Sequence, residues 1–237
     1  MGASNLHTPF STPALKVCGM RDPENIRAVA AIKPNYMGFI FWEPSKRFIQ
    51  NPIPEIDPNV QKIGVFVKAT PNFILKTIQE NDLQGVQLHG GETAQDCKVL
   101  RDALDKEVGL SKPSLVIIKA FSVADQFDFS NLAAYEAYCD YFLFDTKGKL
   151  PGGNGYTFSW KLLSAYPSNT PYFLSGGIGL RQTDALAEFL ESDAAKMCAV
   201  IDVNSTFEEE DYTKNYKDLE LFNTALKKRF LPLKNTL

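Results

Sequence analysis

The 237-residue chain carries 25 Lys plus Arg against 28 Asp plus Glu, a net charge of −3, with 44% hydrophobic and 22% charged residues. These values fit one large globular domain or two small ones and exclude a collagen-like or disordered chain. The acidic balance and the lack of a basic stripe argue against nucleic acid as a partner, and no apolar run is long enough to span a bilayer. The first residues lack the basic and apolar regions of a signal peptide. Leu6 stands where an N-myristoylation sequence needs Ser or Thr. The expected setting is the cytoplasm.

Residues 1–13 form a Ser/Thr/Pro-rich arm for which disorder is expected. Residues 14–237 read as one domain. Short β-branched and aromatic runs follow at 15–17, 37–41, 63–67, 86–88, 115–118, 141–144, 172–174 and 199–203, spaced so that most gaps can hold a helix. After the first run, Asp22-Pro23-Glu24 supplies an N-cap, a proline at the first helical position and an acidic first turn. The gap between the second and third runs holds Pro52, Pro54 and Pro58, so its helix should be shortened or irregular. Thr70-Pro71 starts another helix, with Phe73, Ile74, Thr77 and Ile78 at helical spacing. The stretch 106–113 reads as a surface loop before the fifth run. Residues 180–190 place Ala185, Leu186, Phe189 and Leu190 on one helix face. Eight strands alternating with helices predict a parallel sheet. Eight in this length favour a closed (β/α)8 TIM barrel of the α/β class over an open doubly wound sheet.

Only two histidines occur, and the four cysteines (Cys18, Cys97, Cys139, Cys198) show no C-x-x-C spacing. No metal site or redox dithiol is expected, and the cysteines read first as small buried hydrophobes. In a barrel the reactive groups lie at the C-terminal ends of the strands. There this chain places Lys16-Val17-Cys18-Gly19, then Ser45-Lys46-Arg47, Gln87-Leu88-His89-Gly90, Asp145-Thr146, a glycine-rich segment from Pro151 to Gly155, Ser175-Gly176-Gly177 and Asp202-Val203-Asn204-Ser205. Solvated loops would explain each segment alone; they explain the set poorly. Gly176 and Gly177, with Asn204 and Ser205, suit a phosphate cradle. Ser45-Lys46-Arg47 suits an anion clamp, since guanidinium pairs in a fork with carboxylate. Taken alone, His89 reads as a structural histidine. Cys18 and Asp145 are the candidates for proton transfer. A thiol at the mouth near cations would have its pKa lowered, and a carboxyl there can serve as a general acid if burial raises its pKa. Strand alternation puts Lys16 on the same face as Cys18, one layer deeper. A buried ammonium needs a partner, and closure of strand one on strand eight offers Asp202.

Taken together, these blocks, with Gly38-Phe39-Ile40-Phe41, Gly64-Val65-Phe66-Val67 and Gly152-Gly153-Asn154-Gly155, resemble the phosphoribosylanthranilate isomerase family in identity and order over about residues 14–230. The resemblance implies a cofactor-free barrel that carries out an Amadori rearrangement of N-(5-phosphoribosyl)anthranilate in tryptophan biosynthesis, as a monomer or homodimer. It implies that Asp145 is the general acid and Cys18 the general base. Arg47, Ser45, Gln87, His89, Gly176, Gly177, Asp202, Asn204 and Ser205 make up the substrate-binding set, and Lys16 supports it. One departure is Thr206, where the family has Gly; if that Gly has positive φ, a β-branched residue forces a different turn. Two other readings remain at this level. Another phosphosugar barrel, such as an indole-glycerol-phosphate synthase, would need catalytic Lys and Glu residues that do not appear as a matching set. A barrel that only binds a phosphorylated ligand would not need Cys18 and Asp145 together.

Overall fold

The computed structural model describes residues 13–108, 115–146 and 158–230. Most of the N-terminal arm (1–12) and the glycine-rich segment at 151–155 therefore lie outside the described residues, while Pro13 is buried. Eight parallel strands close into a barrel in sequence order: β1 Ala14–Val17, β2 Tyr36–Ile40, β3 Gln61–Phe66, β4 Gly85–Leu88, β5 Val116–Val123, β6 Tyr141–Thr146, β7 Tyr172–Leu174 and β8 Cys198–Val203. Each coincides with a predicted run. The fifth extends five residues beyond its predicted end at 118, because the charge of Lys119 reads as a strand terminus. Lys119 instead stays inside the fold, donating to the carbonyls of Leu88, Gly90 and Ala120 and pairing with Glu92 at 3.2 Å.

Among the described residues five α-helices cover the barrel: α1 Pro23–Ala31, α2 Pro71–Asn81, α3 Ala94–Val108, α4 Thr183–Leu190 and α5 Tyr216–Phe230. The predicted caps form, with the Asp22 carboxylate accepting from Asn25 N at 2.8 Å and the Thr70 hydroxyl from Phe73 N at 3.3 Å. Several expectations need correction. Helix α3 runs on through Lys106, so the supposed loop at 106–113 begins inside a helix. The buried face of α4 is Leu186, Ala187 and Phe189, with Ala185 exposed. The helix predicted after Thr70 forms as α2, burying Ile74, Thr77 and Ile78 and leaving Phe73 46% exposed.

As expected, the proline-rich gap between β2 and β3 holds no helix. Two further gaps depart from the alternation, because only 3-10 turns, Phe129–Ala134 and Trp160–Ala165, precede β6 and β7 among the described residues. Aromatic rings supply the cover there. Phe144 meets Phe127, Phe129, Tyr166 and Tyr172 edge-on at centroid distances between 5.3 and 6.0 Å, and such large surfaces shield a barrel wall without a long helix.

Inside the barrel, Ile63, Ile118, Leu143, Phe173 and Val200 form an apolar floor. Pairing of β1 with β8 sets Lys16 opposite Asp202 and Val17 opposite Val203, so period-two alternation turns Lys16 and Cys18 toward the axis above that floor. No helix among the described residues is long and apolar enough to cross a membrane.

Candidate active site

At the C-terminal ends of the strands an open cavity of about 680 Å³ is lined by Cys18 from β1's end, Ser45 and Arg47 from the β2 loop, and Gln87 and His89 from β4. The lining continues with Asp145 of β6, Gly176 and Gly177 after β7, and Asp202, Asn204 and Ser205 at the end of β8. Lys16 lies below this ring, fully buried. Ile40, Trp42, Val65 and Ile178 add apolar wall, of which Trp42 had no signal in the sequence beyond its residue type.

Lys16 Nζ donates to Asp202 Oδ1 at 2.8 Å, with side-chain exposures of 0% and 4%. Burial alone would lower the ammonium, but the Asp202 carboxylate and the Cys18 sulfur outweigh it and hold Lys16 above its ordinary value. Burial also pushes the Asp202 carboxyl up, with Lys16 pulling it back. For Cys18 the expectation of a lowered pKa is overturned. Burial raises the thiol, and the Lys16 and Lys214 ammonium groups offset this only in part. Counting nearby cations in a sequence does not weigh the cost of placing a thiolate at 4% exposure.

The thiol has no spare room. A Cβ on Gly38 of β2 would lie 2.7 Å from Cys18 Sγ and 3.2 Å from its Cα. Gly38→Ala should therefore displace Cys18, lowering kcat by on the order of 10²-fold if the sulfur moves about 1 Å, with a packing cost of about 1–3 kcal/mol. Steady-state kinetics beside a denaturant titration would check this, and unaltered kcat would refute it.

On the other wall, Gln87 Nε2 lies 2.7 Å from His89 Nδ1, and His89 Nε2 faces Asp145 Oδ2 at 3.5 Å. With the amide donating, Nδ1 accepts, and the neutral imidazole carries its proton on Nε2, the nitrogen that faces Asp145. Gln87 Oε1 is buried and finds no donor among the described residues. Gly176 and Gly177 have φ of 95° and 68°. A side chain at Gly176 would overlap Thr146, so this turn requires glycine. Thr206 adopts no positive φ. It sits in a 3-10 turn, Ser205–Phe207, with its hydroxyl donating to Ile178 O, so the anticipated clash of a β-branched residue with positive φ does not arise.

Arg47 is already engaged. Its Nε and Nη2 donate to the two oxygens of Glu208, each at 2.6 Å, leaving Nη1 without a hydrogen bond among the described residues. Glu208 Oε1 also accepts from Lys214 Nζ at 2.5 Å, and Lys214 reaches Asn204 Oδ1 at 2.6 Å. Burial lowers the Lys214 ammonium to about 8, with Glu208 opposing the shift. Neither Glu208 nor Lys214 was among the residues predicted from sequence.

A closed parallel barrel with its ionisable groups gathered at the C-terminal mouth is the arrangement of the (β/α)8-barrel enzymes. The family model described as N-(5'phosphoribosyl)anthranilate (PRA) isomerase matches residues 15–225. N-(5'-phosphoribosyl)anthranilate isomerase of Phocaeicola vulgatus is 39% identical over 215 residues, covering 91% of this chain and 98% of the relative. That of Parabacteroides distasonis is also 39% identical, covering 88% and 90%. The crystal structure of phosphoribosyl anthranilate isomerase from Thermotoga maritima superposes with a TM-score of 0.73 at 25% identity, covering 91% of this chain and 99% of that one. The chain belongs to the phosphoribosylanthranilate isomerase family.

Proposed function

We propose that this isomerase acts on N-(5'-phosphoribosyl)anthranilate with Asp145 as general acid and Cys18 as general base. The observation that carries the reading is one cavity lined together by a thiol, a carboxyl, two glycines and a guanidinium. Asp145 gives a proton to the furanose ring oxygen, the bond from that oxygen to C1′ breaks, and the anthranilate nitrogen lone pair completes a C1′=N iminium. The iminium acidifies C2′–H. The Cys18 thiolate takes that proton, and the C–H electron pair forms a C1′=C2′ enolamine with a neutral nitrogen. Loss of the 2′-hydroxyl proton and protonation of C1′ then give 1-(2-carboxyphenylamino)-1-deoxyribulose 5-phosphate. Position and proton transfer carry the chemistry.

The backbone amides of Gly176 and Gly177, with Ser205, suit the phosphate. The free Oε1 of Gln87 suits a ribose hydroxyl, since a buried acceptor without a donor is costly until one arrives. His89, aimed at Asp145, orients the acid. Ser45 sets the Arg47 turn by accepting from Arg47 N at 3.1 Å, and Nη1 of Arg47 is the donor for the anthranilate carboxylate.

The activity itself is tested by following the fluorescence of freshly generated substrate during turnover; no loss of signal above the uncatalysed rate would defeat the reading. Arg47→Ala should raise KM by about 10–100-fold, the worth of a charge-assisted hydrogen bond of roughly 1.5–3 kcal/mol. Arg47→Lys should not restore it, because an ammonium cannot hold Glu208 by two bonds and still present a donor edge. An unchanged KM in the alanine variant would return Arg47 to a purely structural role.

A further inference from the structure

We propose that the hairpin 208–214 is a preset support for Arg47, and that Glu208, Tyr212 and Lys214 are positioning residues that set recognition of the carboxylate on the aromatic amine. The proposal rests on the reading of Arg47 as the partner of that carboxylate.

Two residues of one short segment meet one guanidinium, and a third holds the first of them in place. Glu208 takes its Nε and Nη2 edge at 2.6 Å on each oxygen. Tyr212 places its ring 5.6 Å from Arg47 Cζ. Lys214 fixes Glu208 from behind at 2.5 Å and holds Asn204 Oδ1 at 2.6 Å. A long side chain otherwise free to sample many rotamers is thereby fixed before ligand arrives.

The segment is built to stay in place. Glu208 and Lys214 pair as an antiparallel bridge, and Glu209 N donates to Thr213 O at 2.9 Å. Asn25 of α1 clasps the Lys214 backbone from both sides, accepting from its N and donating to its O at 2.8 Å each. Arg21 donates to Asp211 O at 2.7 Å and Lys46 O at 3.4 Å, tying the hairpin to the loop that carries Arg47. Tyr212 adopts φ of 66°, a left-handed conformation uncommon for a residue with a large side chain. Such strain persists only where the surroundings impose it, and here it sets the ring beside Arg47 and Lys46, each at 5.6 Å, and Arg21 at 5.8 Å.

Charge gives the second argument. Arg47, Glu208 and Lys214 bring two cations and one carboxylate into a cluster whose side chains are 12%, 6% and 0% exposed. One positive charge is left over among these three groups, offset only when the neighbouring Cys18 thiol ionises, and a buried charge is costly without a partner. The cluster opens to the cavity through Arg47, so an incoming carboxylate completes it. A neutral ring at the same place would leave the excess charge unpaired, and specificity of that kind comes from a penalty on the wrong ligand.

The test measures kcat and KM for two substrates, the phosphoribosyl amine of anthranilate and that of aniline, which lacks the carboxylate. Wild type is compared with Glu208→Gln, Tyr212→Gly and Arg47→Ala. Tyr212→Gly removes the ring while suiting the left-handed backbone, so it remains informative if Glu208→Gln fails to fold. Expected is a rise in KM for the anthranilate substrate of about tenfold in Glu208→Gln and about two- to fivefold in Tyr212→Gly. The aniline substrate should change by less than the anthranilate one in both variants. If Arg47→Ala discriminates between the substrates and the two hairpin variants do not, the hairpin is merely structural and the proposal is overturned. If Arg47→Ala itself affects both substrates equally, the reading of Arg47 as the carboxylate partner fails, and this proposal falls with it.

Discussion

Cys18→Ser and Asp145→Asn should each lower kcat by about 10²–10⁴-fold, the usual contribution of a positioned acid or base, while product affinity stays within about tenfold. Both substitutions are nearly isosteric, so the cavity keeps its shape and its anion contacts. The Ser hydroxyl is far less acidic than a thiol and cannot supply the base. Asn keeps a donor toward the ring oxygen but has no proton to release. Either variant retaining more than about a tenth of wild-type kcat would remove its residue from the role assigned to it. The pH profile adds a separate check. Because burial raises the Cys18 thiol, the thiolate fraction grows with pH, and kcat/KM should climb along a limb lying above the ordinary thiol value of about 8.5. A limb below that value would mean that the Lys16 and Lys214 ammonium groups outweigh burial at this thiol.

Lys16→Met combines a kinetic and a stability effect. The Lys16 ammonium lowers the Cys18 thiol and thereby offsets part of the burial cost. Removing it takes away a cation that favours the thiolate, so the thiol pKa rises further and the kcat/KM limb moves to higher pH. Activity lost at neutral pH should be recovered in part as pH increases. The same substitution leaves Asp202, at 4% side-chain exposure, without its partner at 2.8 Å. Breaking a buried pair from one side costs about 3–5 kcal/mol, readable as a lower denaturant midpoint. A limb that stays in place would separate Lys16 from the thiol, and an unchanged midpoint would mean that the pair contributes little to stability.

Much of this arrangement follows from sequence patterns that have a physical basis. The strand runs are short because a fully inward or outward barrel strand needs only three to eight residues, and β-branched and aromatic side chains suit them. Lys16 and Cys18 share a face because the strand period is two, and ring closure then brings Asp202 to Lys16. The helical cover was less legible. Nothing local in 129–134 or 160–165 separates a 3-10 turn from a helix, since the aromatic packing that makes a helix unnecessary joins distant segments. Glu208 and Lys214 lie in a stretch of mixed charges that reads as a solvated loop. Their function depends on Arg47, 161 positions away from Glu208, and no periodicity carries that information. The pKa direction at Cys18 failed for a related reason, because degree of burial is a property of the closed barrel.

The contact between Lys16 and Asp202 joins residues 186 positions apart, at the seam where the first strand meets the last. Contacts this distant form late in folding, after the chain has met the entropy of closing so large a loop. Chain assembled only through β7 keeps Lys16 but has neither Asp202 nor the Lys214 ammonium, so the charges around Cys18 are incomplete until the ring closes. A nascent or nicked polypeptide with strands one to seven in order therefore holds the Cys18 thiol without its full setting. Alkylation read residue by residue, so that Cys18 is told apart from Cys97, Cys139 and Cys198, then gauges ring completion during refolding.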